Sequence, residues 1–237
     1  MNEECYNSLL VQGEANTLCL SLVVSKMLGY LILAGSFMLK VPQIVNIMRA
    51  QSADSVSSAM YYLDSLVLII GASYGLRTLM AFSTYGESYF LLLQNLIILC
   101  QIHFYEKRLG GFSLKFILFA ALALYFSGAA GDLLPSLPMP YLALLQSTLP
   151  IPVGALSRLP QIYSLYKSGS AGSASLTMFL LNTAGALARV FTTMTEVKDM
   201  AVMAGYISSS FFNGVITLQH IYYTFFKVSP VKGSKAH

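Results

Sequence analysis

The sequence predicts an all-α membrane protein with seven transmembrane helices, arranged as two parallel three-helix-bundle repeats joined by a linker helix. Three observations predict this fold class: the composition, the number of long apolar segments and an internal repeat. Of the 237 residues, 56% are hydrophobic and only 10% are charged, whereas an average soluble domain carries about 25% charged residues. The composition therefore excludes an ordinary soluble domain. The net charge of +4 is modest and forms no basic patch interleaved with aromatic residues, so no nucleic acid is expected as a partner.

Seven segments are long and apolar enough to span a bilayer, which takes about 20 residues. They are predicted at 26–48, 57–80, 86–105, 112–130, 141–165, 174–195 and 201–226. Residues 1–25 are expected to form an N-terminal segment, and residues 227–237 a tail. Each proline inside a span removes a backbone donor, so kinks are predicted at Pro42, Pro150, Pro152 and Pro160.

The internal repeat is centred on two short motifs. Lys40-Val41-Pro42-Gln43 is echoed by Arg158-Leu159-Pro160-Gln161, and the shift is 160 − 42 = 118 positions. The same shift, without a gap, aligns further polar residues: Asp64 with Asn182, Asn95 with Asn213, and Gln101 with Gln219. Self-similarity at a fixed period indicates a duplication, and many membrane transporters are built from such repeats. The first repeat is predicted at 26–106, the linker helix with its loops at 107–138, and the second repeat at 139–226.

The basic residues predict the orientation in the membrane. With seven spans, one side receives Arg49, Lys107, Arg108, Lys115, Lys167, Lys227, Lys232 and Lys235. The other side receives mainly Arg77 and Lys198. By the positive-inside rule the first side is cytosolic. We therefore expect a lumenal or extracellular N-terminus and a cytosolic C-terminus.

Two charges of the first repeat are predicted to lie near the middle of the bilayer. Lys40 and Asp64 reach similar depths on consecutive spans. A lone charge at the centre of a membrane helix costs about 2.5–3.5 kcal/mol on insertion scales, so an ion pair between them is predicted. In the alternative interpretation, Lys40 extends toward the cytosol and Asp64 caps a freed backbone group.

The second repeat lacks this pair, because Arg158 replaces Lys40 and Asn182 replaces Asp64. Arg158 therefore inherits no carboxylate, and its planar guanidinium suits bidentate binding of a phosphate or carboxylate. The predicted substrate site consists of Arg158, Gln161, Asn182, Arg189 and Asn213. The alternative for each is interhelical hydrogen bonding, which is common in membrane bundles.

The sequence contains no nucleophile–base pair, phosphate loop or metal-ligand constellation, so neither an enzyme nor a metal or cofactor is predicted. The three cysteines form no redox motif. Cys5 and Cys19 can pair in an oxidising compartment, but two free thiols are expected.

Two Pro-Gln motifs in a 3+1+3 chain resemble the PQ-loop family, which includes SWEET sugar transporters, the KDEL receptor and lysosomal exporters such as cystinosin. Further strings, among them Ala34-Gly35-Ser36, Gly86-Glu87 and Leu187-Ala188-Arg189, are similar to the mannose-P-dolichol utilization defect family. That resemblance implies a multi-pass protein of the endoplasmic reticulum membrane. It also implies dolichol-phosphate-mannose and dolichol-phosphate-glucose as partners, used in lumenal N-glycan and GPI-anchor assembly, and allows lumenal glycosyltransferases as further partners.

Three functions are compatible with these observations. The first is moving or presenting a lipid-linked sugar, which the uncompensated Arg158 favours. The second is transport of a small solute, a sugar or amino acid, for which Asp64 is the one candidate proton-coupled carboxylate. The third is a cargo receptor or chaperone, which neither a long soluble domain nor a clear retrieval signal supports.

Overall fold

The computed structural model describes residues 17–53, 56–106, 112–131, 135–169 and 176–226, and these ranges form nine α-helices. In chain order they are α1 Thr17–Ser36, α2 Val41–Ala50, α3 Ser58–Arg77, α4 Phe82–Tyr105, α5 Phe112–Ser127, α6 Met139–Thr148, α7 Pro150–Ser168, α8 Leu176–Thr192 and α9 Met200–Ile221. Two π-helical turns, Thr193–Val197 and Tyr222–Phe226, extend α8 and α9. The predicted N-terminal segment up to residue 16, the Gly110-Gly111 loop and the tail lie outside the described residues.

The predicted all-α membrane fold is confirmed. Five described stretches are long and apolar enough to cross a membrane: Cys19–Ala50, Ser58–Arg77, Phe82–Tyr105, Met139–Ser168 and Met200–Phe226. The first and fourth of these each combine two helices, α1 with α2 and α6 with α7. The remaining two predicted spans correspond to α5 and α8, which have 16 and 17 residues.

The helix ends preserve the sequence repeat. The shift of 118 positions carries the start of α3 onto that of α8, the start of α4 onto that of α9, and the end of α2 onto that of α7. In the first repeat α4 packs on α3, and in the second α9 packs on α8. The chain therefore forms two repeats of three spans each, α1–α4 and α6–α9. In each repeat the first two helices together make one span, and α5 is the linker.

One boundary prediction is corrected by the structure. Helix α1 begins at Thr17, so residues 17–25 are helical and do not form a separate N-terminal segment. The predicted interruptions at Pro42, Pro150 and Pro152 fall where the first and fourth apolar stretches divide into two helices, because these prolines lie in the first turns of α2 and α7. An N-terminal turn has no partner for those N–H groups, so proline is tolerated there. Only Pro160 lies inside a helix.

The cysteines also differ from the expectation. Cys19 is disulfide-bonded, so the expected free thiol is wrong there. Cys5 lies outside the described residues. Cys100 is a free, exposed cysteine.

Arg77 of α3 forms hydrogen bonds at the C-terminal end of the linker helix and in the loop that follows it. Its Nη1 atom donates to the Phe126 carbonyl at 3.2 Å and to the Leu137 carbonyl at 2.5 Å. A buried cluster that includes Ile70 and Leu142 lies against the same region. These contacts bring the start of the second repeat alongside α3, and they set the face that the two repeats share.

Gly75 is required where α3 crosses α4. A Cβ atom at this position would lie 2.5 Å from Cγ of Tyr85, a distance that no relaxed packing allows. We expect Gly75→Ala to lower the unfolding free energy by about 1–3 kcal/mol, the usual cost of overpacking. Thermal unfolding in detergent measures this.

Gly35→Ala is the matched control, because nothing lies within 4 Å of a Cβ atom there. This variant should unfold at the wild-type temperature or above it, since alanine favours a helix over glycine. Equal melting temperatures for the two variants would contradict the packing assigned to Gly75.

Candidate functional site

The first Pro-Gln motif lies at a break between α1 and α2. Residues Phe37–Lys40 leave the helical ladder, and Gln94 of α4 bridges the gap: its Nε2 donates to the Ser36 carbonyl at 2.7 Å, and its Oε1 accepts from the Lys40 amide at 2.8 Å. At membrane depth unsatisfied backbone groups are costly. The Gln94 side-chain amide therefore stabilises the break by pairing with one backbone group on each side of it. Gln43 follows in the first turn of α2.

The predicted ion pair is confirmed. Lys40 Nζ donates to Asp64 Oδ2 at 2.6 Å, and it also donates to Asn95 Oδ1. Asn95 Nδ2 in turn donates to Asp64 Oδ2 at 2.9 Å. The Lys40 ammonium lies 5.3 Å from the centre of the Tyr61 ring. Three helices of the first repeat thus share one neutral polar network.

Arg158, the counterpart of Lys40, meets only uncharged oxygen atoms among the described residues. Its Nε donates to Asn213 Oδ1 at 3.0 Å, and its Nη2 to Ser209 Oγ at 3.3 Å. Its Nη1 lies 3.4 Å from the Gly154 carbonyl and from Ser157 Oγ. Among the described residues, the Arg158 guanidinium therefore has hydrogen-bond partners but no ion-pair partner.

Arg189 forms an ion pair between the two repeats. Its Nη2 lies 2.7 Å from Glu87 Oε2, and its Nη1 donates to the Ser83 carbonyl at 3.1 Å. Tyr206 donates to Glu87 Oε1 at 3.1 Å. Arg189 is 4% exposed, so this cluster is a buried joint between α8, α4 and α9.

Two further contacts join the repeats at the same end of the bundle. Lys26 Nζ of α1 lies 2.5 Å from Glu196 Oε2, and Tyr74 of α3 donates to Asp199 Oδ2 at 2.7 Å. The Arg189–Glu87, Lys26–Glu196 and Tyr74–Asp199 contacts all lie at this end of the bundle, the one that carries Arg77. The contacts described above for Lys40 and Arg158 each stay within one repeat.

A cavity of about 510 Å³ lies between the repeats, walled by α3 and α4 on one side and by α6, α7 and α9 on the other. Its wall is largely apolar, with polar groups at a few points. The charged residues on it are Lys40, Asp64, Glu87 and Arg158. Lys40 neutralises Asp64 and Arg189 neutralises Glu87, so Arg158 is the unmatched charge on the described wall.

The structure assembles the predicted substrate site only in part. Arg158 is on the cavity wall and contacts Asn213. Arg189 is engaged by Glu87 instead, and the wall as described includes neither Gln161 nor Asn182. Arg158 contacts Asn213 and Ser209 of α9, and Asn182 is not among its hydrogen-bond partners in the described part of the chain.

Several residues of the site were not among the predicted ones. Glu87, Gln94 and Tyr206 reach across to other helices, so their partners are distant in sequence. The available signal was the single acidic residue Glu87 near the start of an apolar span, which requires a basic partner. The described residues contain no cluster of histidine, cysteine or acidic side chains able to hold a metal ion.

Both repeats match a known family, described as "PQ loop repeat", over residues 24–80 and 144–202. The fold is also similar to "The 3.7 A resolution structure of a eukaryotic SWEET transporter", with a TM-score of 0.71. That match covers 88% of this chain and 99% of the other at 15% sequence identity, a level at which the likeness concerns the fold. The chain is therefore a multi-pass membrane protein that carries two matches to the PQ-loop repeat on a SWEET-like fold.

The Lys40–Asp64 pair gives a testable prediction. Lys40→Met and Asp64→Asn should each lower stability, because each leaves one charge facing an amide at membrane depth. The side chains are 18% and 43% exposed, so the cost should fall between the roughly 1 kcal/mol of an exposed pair and the 3–5 kcal/mol of a broken buried pair.

The exchange Lys40→Asp with Asp64→Lys should recover part of that loss in detergent melting curves. The hydrogen bond from the Lys40 backbone N–H to Gln94 Oε1 does not depend on the Lys40 side chain, so it survives the exchange. A double variant no more stable than Lys40→Asp alone would show that the pair does not act as a unit.

Proposed function

We propose that the protein binds the headgroup of dolichol-phosphate-mannose or dolichol-phosphate-glucose in the endoplasmic reticulum membrane, and moves it across the bilayer or presents it to lumenal glycosyltransferases. Such handling serves N-glycan and GPI-anchor assembly. The observation that carries the proposal is Arg158: a cation on the wall of a mostly apolar cavity, with only uncharged oxygen partners among the described residues.

An unmatched guanidinium at membrane depth favours an anionic ligand. The other charges on the described wall are neutralised by partners at 2.6–2.7 Å. A phosphodiester would supply the missing charge and charge-assisted hydrogen bonds, in surroundings where water competes weakly.

The orientation supports the same proposal. Arg49 and Lys167 end α2 and α7 at one face of the bundle, and we assign that face to the cytosol by the positive-inside rule. Lys107, Arg108 and the tail lysines lie outside the described residues. Cys19 is disulfide-bonded near the opposite face, and disulfides persist in oxidising compartments such as the endoplasmic reticulum lumen. The N-terminus is then lumenal and the C-terminus cytosolic.

A small-solute transporter is the second candidate. The size of the cavity favours it, because about 510 Å³ is within the range of small-molecule sites and would hold a free sugar or amino acid. Asp64 is the carboxylate that would couple such transport to protons. In the structure, however, that carboxylate is engaged by Lys40 and Asn95.

Reconstitution in liposomes tests the transport form of the proposal. Labelled dolichol-phosphate-mannose should become accessible on the opposite leaflet only when the protein is present. Free mannose and amino acids should not be taken up. Uptake of a free solute without movement of the sugar-lipid would favour the second candidate.

Photo-crosslinking tests binding separately from transport. A photoreactive dolichol-phosphate-mannose analogue should label the wild type, label Arg158→Lys weakly because bidentate geometry is lost, and fail to label Arg158→Gln. Lys167→Gln, which removes an exposed charge, is the control and should be labelled like the wild type. Equal labelling of wild type and Arg158→Gln at equal expression would refute the headgroup site.

The orientation can be checked in sealed microsomes. A tag at the C-terminus should be digested by added protease, because that end is assigned to the cytosol. A protected C-terminal tag would reverse the assignment of the two faces.

A further inference from the structure

The two repeats carry different residues where they meet. The shift of 118 positions identifies which residues correspond. Arg189 of α8 and Glu87 of α4 form the ion pair described above. Their repeat counterparts are Gly71 of α3 and Gly205 of α9. At one place in the interface a salt bridge joins the repeats, and at the related place two glycines line the cavity, which Glu87 also reaches.

Two polar side chains converge on the space that Gly71 leaves. A Cβ atom at Gly71 would lie 3.6 Å from Gln146 Oε1 and 3.6 Å from Ser88 Oγ. Both residues line the cavity. Gln146 is 9% exposed, and its Oε1 atom is buried without a hydrogen-bond partner. A buried, unsatisfied amide oxygen is costly, so its position beside a cavity calls for a ligand that donates a hydrogen bond.

This place is displaced along the cavity from the level of Arg158. Gly71 is seven residues after Asp64 on α3, or about 10 Å along the helix axis. On the opposite wall, Gln146 precedes Gly154, whose carbonyl the Arg158 guanidinium contacts, by eight residues or about two helical turns. Gly71 and Gln146 therefore lie apart from the guanidinium along both walls.

We propose that Gln146, Ser88 and the gap at Gly71 form the subsite for the sugar ring, while Arg158 binds the phosphate. This inference rests on the proposed function and adds to it a separate site for the uncharged part of the ligand. The Gln146 amide presents one acceptor and one donor group, which match neighbouring hydroxyls of a hexose. The Ser88 hydroxyl supplies a further donor or acceptor, and the absence of a side chain at Gly71 keeps both polar groups open to the cavity that would hold the ring.

Two water-soluble probes separate the two parts of the site. Citronellyl-phosphate-mannose carries the phosphodiester and the sugar, whereas citronellyl methyl phosphate carries the phosphodiester alone. Binding to the purified full-length protein is measured by calorimetry. Gln146→Leu removes the amide at similar volume, and it should weaken the mannose probe about tenfold or more and leave the methyl probe unchanged.

Gly71→Ala is the second variant, and it tests the sugar site with a change that should leave the fold intact. Its added methyl group makes ordinary contacts at 3.6 Å, so the fold is retained while the sugar space is filled. It should reproduce the selective loss for the mannose probe. Gly35→Ala adds the same methyl group where nothing lies within 4 Å, and it should bind both probes like the wild type.

Arg158→Gln separates failure of the subsite from failure of the proposed function. It should weaken both probes. If it does so while Gln146→Leu and Gly71→Ala leave the ratio of the two affinities unchanged, the sugar subsite is overturned and the phosphate site stands. If Arg158→Gln changes neither affinity, the proposed function fails and the subsite fails with it.

Discussion

The ion pair between Arg189 and Glu87 is the contact on which the arrangement of the two repeats depends. It is buried, it joins α8 to α4, and Tyr206 secures it from α9. Breaking one partner of such a pair leaves an uncompensated charge at membrane depth, which is strongly unfavourable. The pair therefore holds the repeats together at the end that carries Arg77. Its counterparts Gly71 and Gly205 carry no side chains to make such a contact, and both line the cavity, as Glu87 does.

Charge matching also explains how the repeats have diverged. In the first repeat Lys40, Asp64 and Asn95 neutralise and saturate one another, and Gln94 stabilises the helix break beside them. In the second repeat the carboxylate has become Asn182, and Arg158 rests on amide, hydroxyl and carbonyl oxygens. The first motif thus stabilises the fold through the paired Lys40. The second motif retains the unpaired charge of Arg158, which is available to bind an anionic ligand.

Much of the fold follows from the sequence, because apolar length and a gap-free repeat are local and periodic signals. The Lys40–Asp64 pair was accessible for the same reason: both residues lie on consecutive spans at matching depth. The Arg189–Glu87 pair was not, since its partners belong to different repeats and nothing local links them. The helix start at Thr17 was missed because polar residues are tolerated in a first helical turn, where backbone N–H groups have no helical partner.

The ligand that we propose for the cavity between the repeats is an anionic, lipid-linked sugar with its phosphate on Arg158. The most direct measurement is a structure of the full-length protein in lipid nanodiscs with citronellyl-phosphate-mannose. The account predicts phosphate density within hydrogen-bonding distance of the Arg158 guanidinium and sugar density toward Gln146 and Gly71. Ligand density confined to the lipid-facing surface, or phosphate bound away from Arg158, would contradict it.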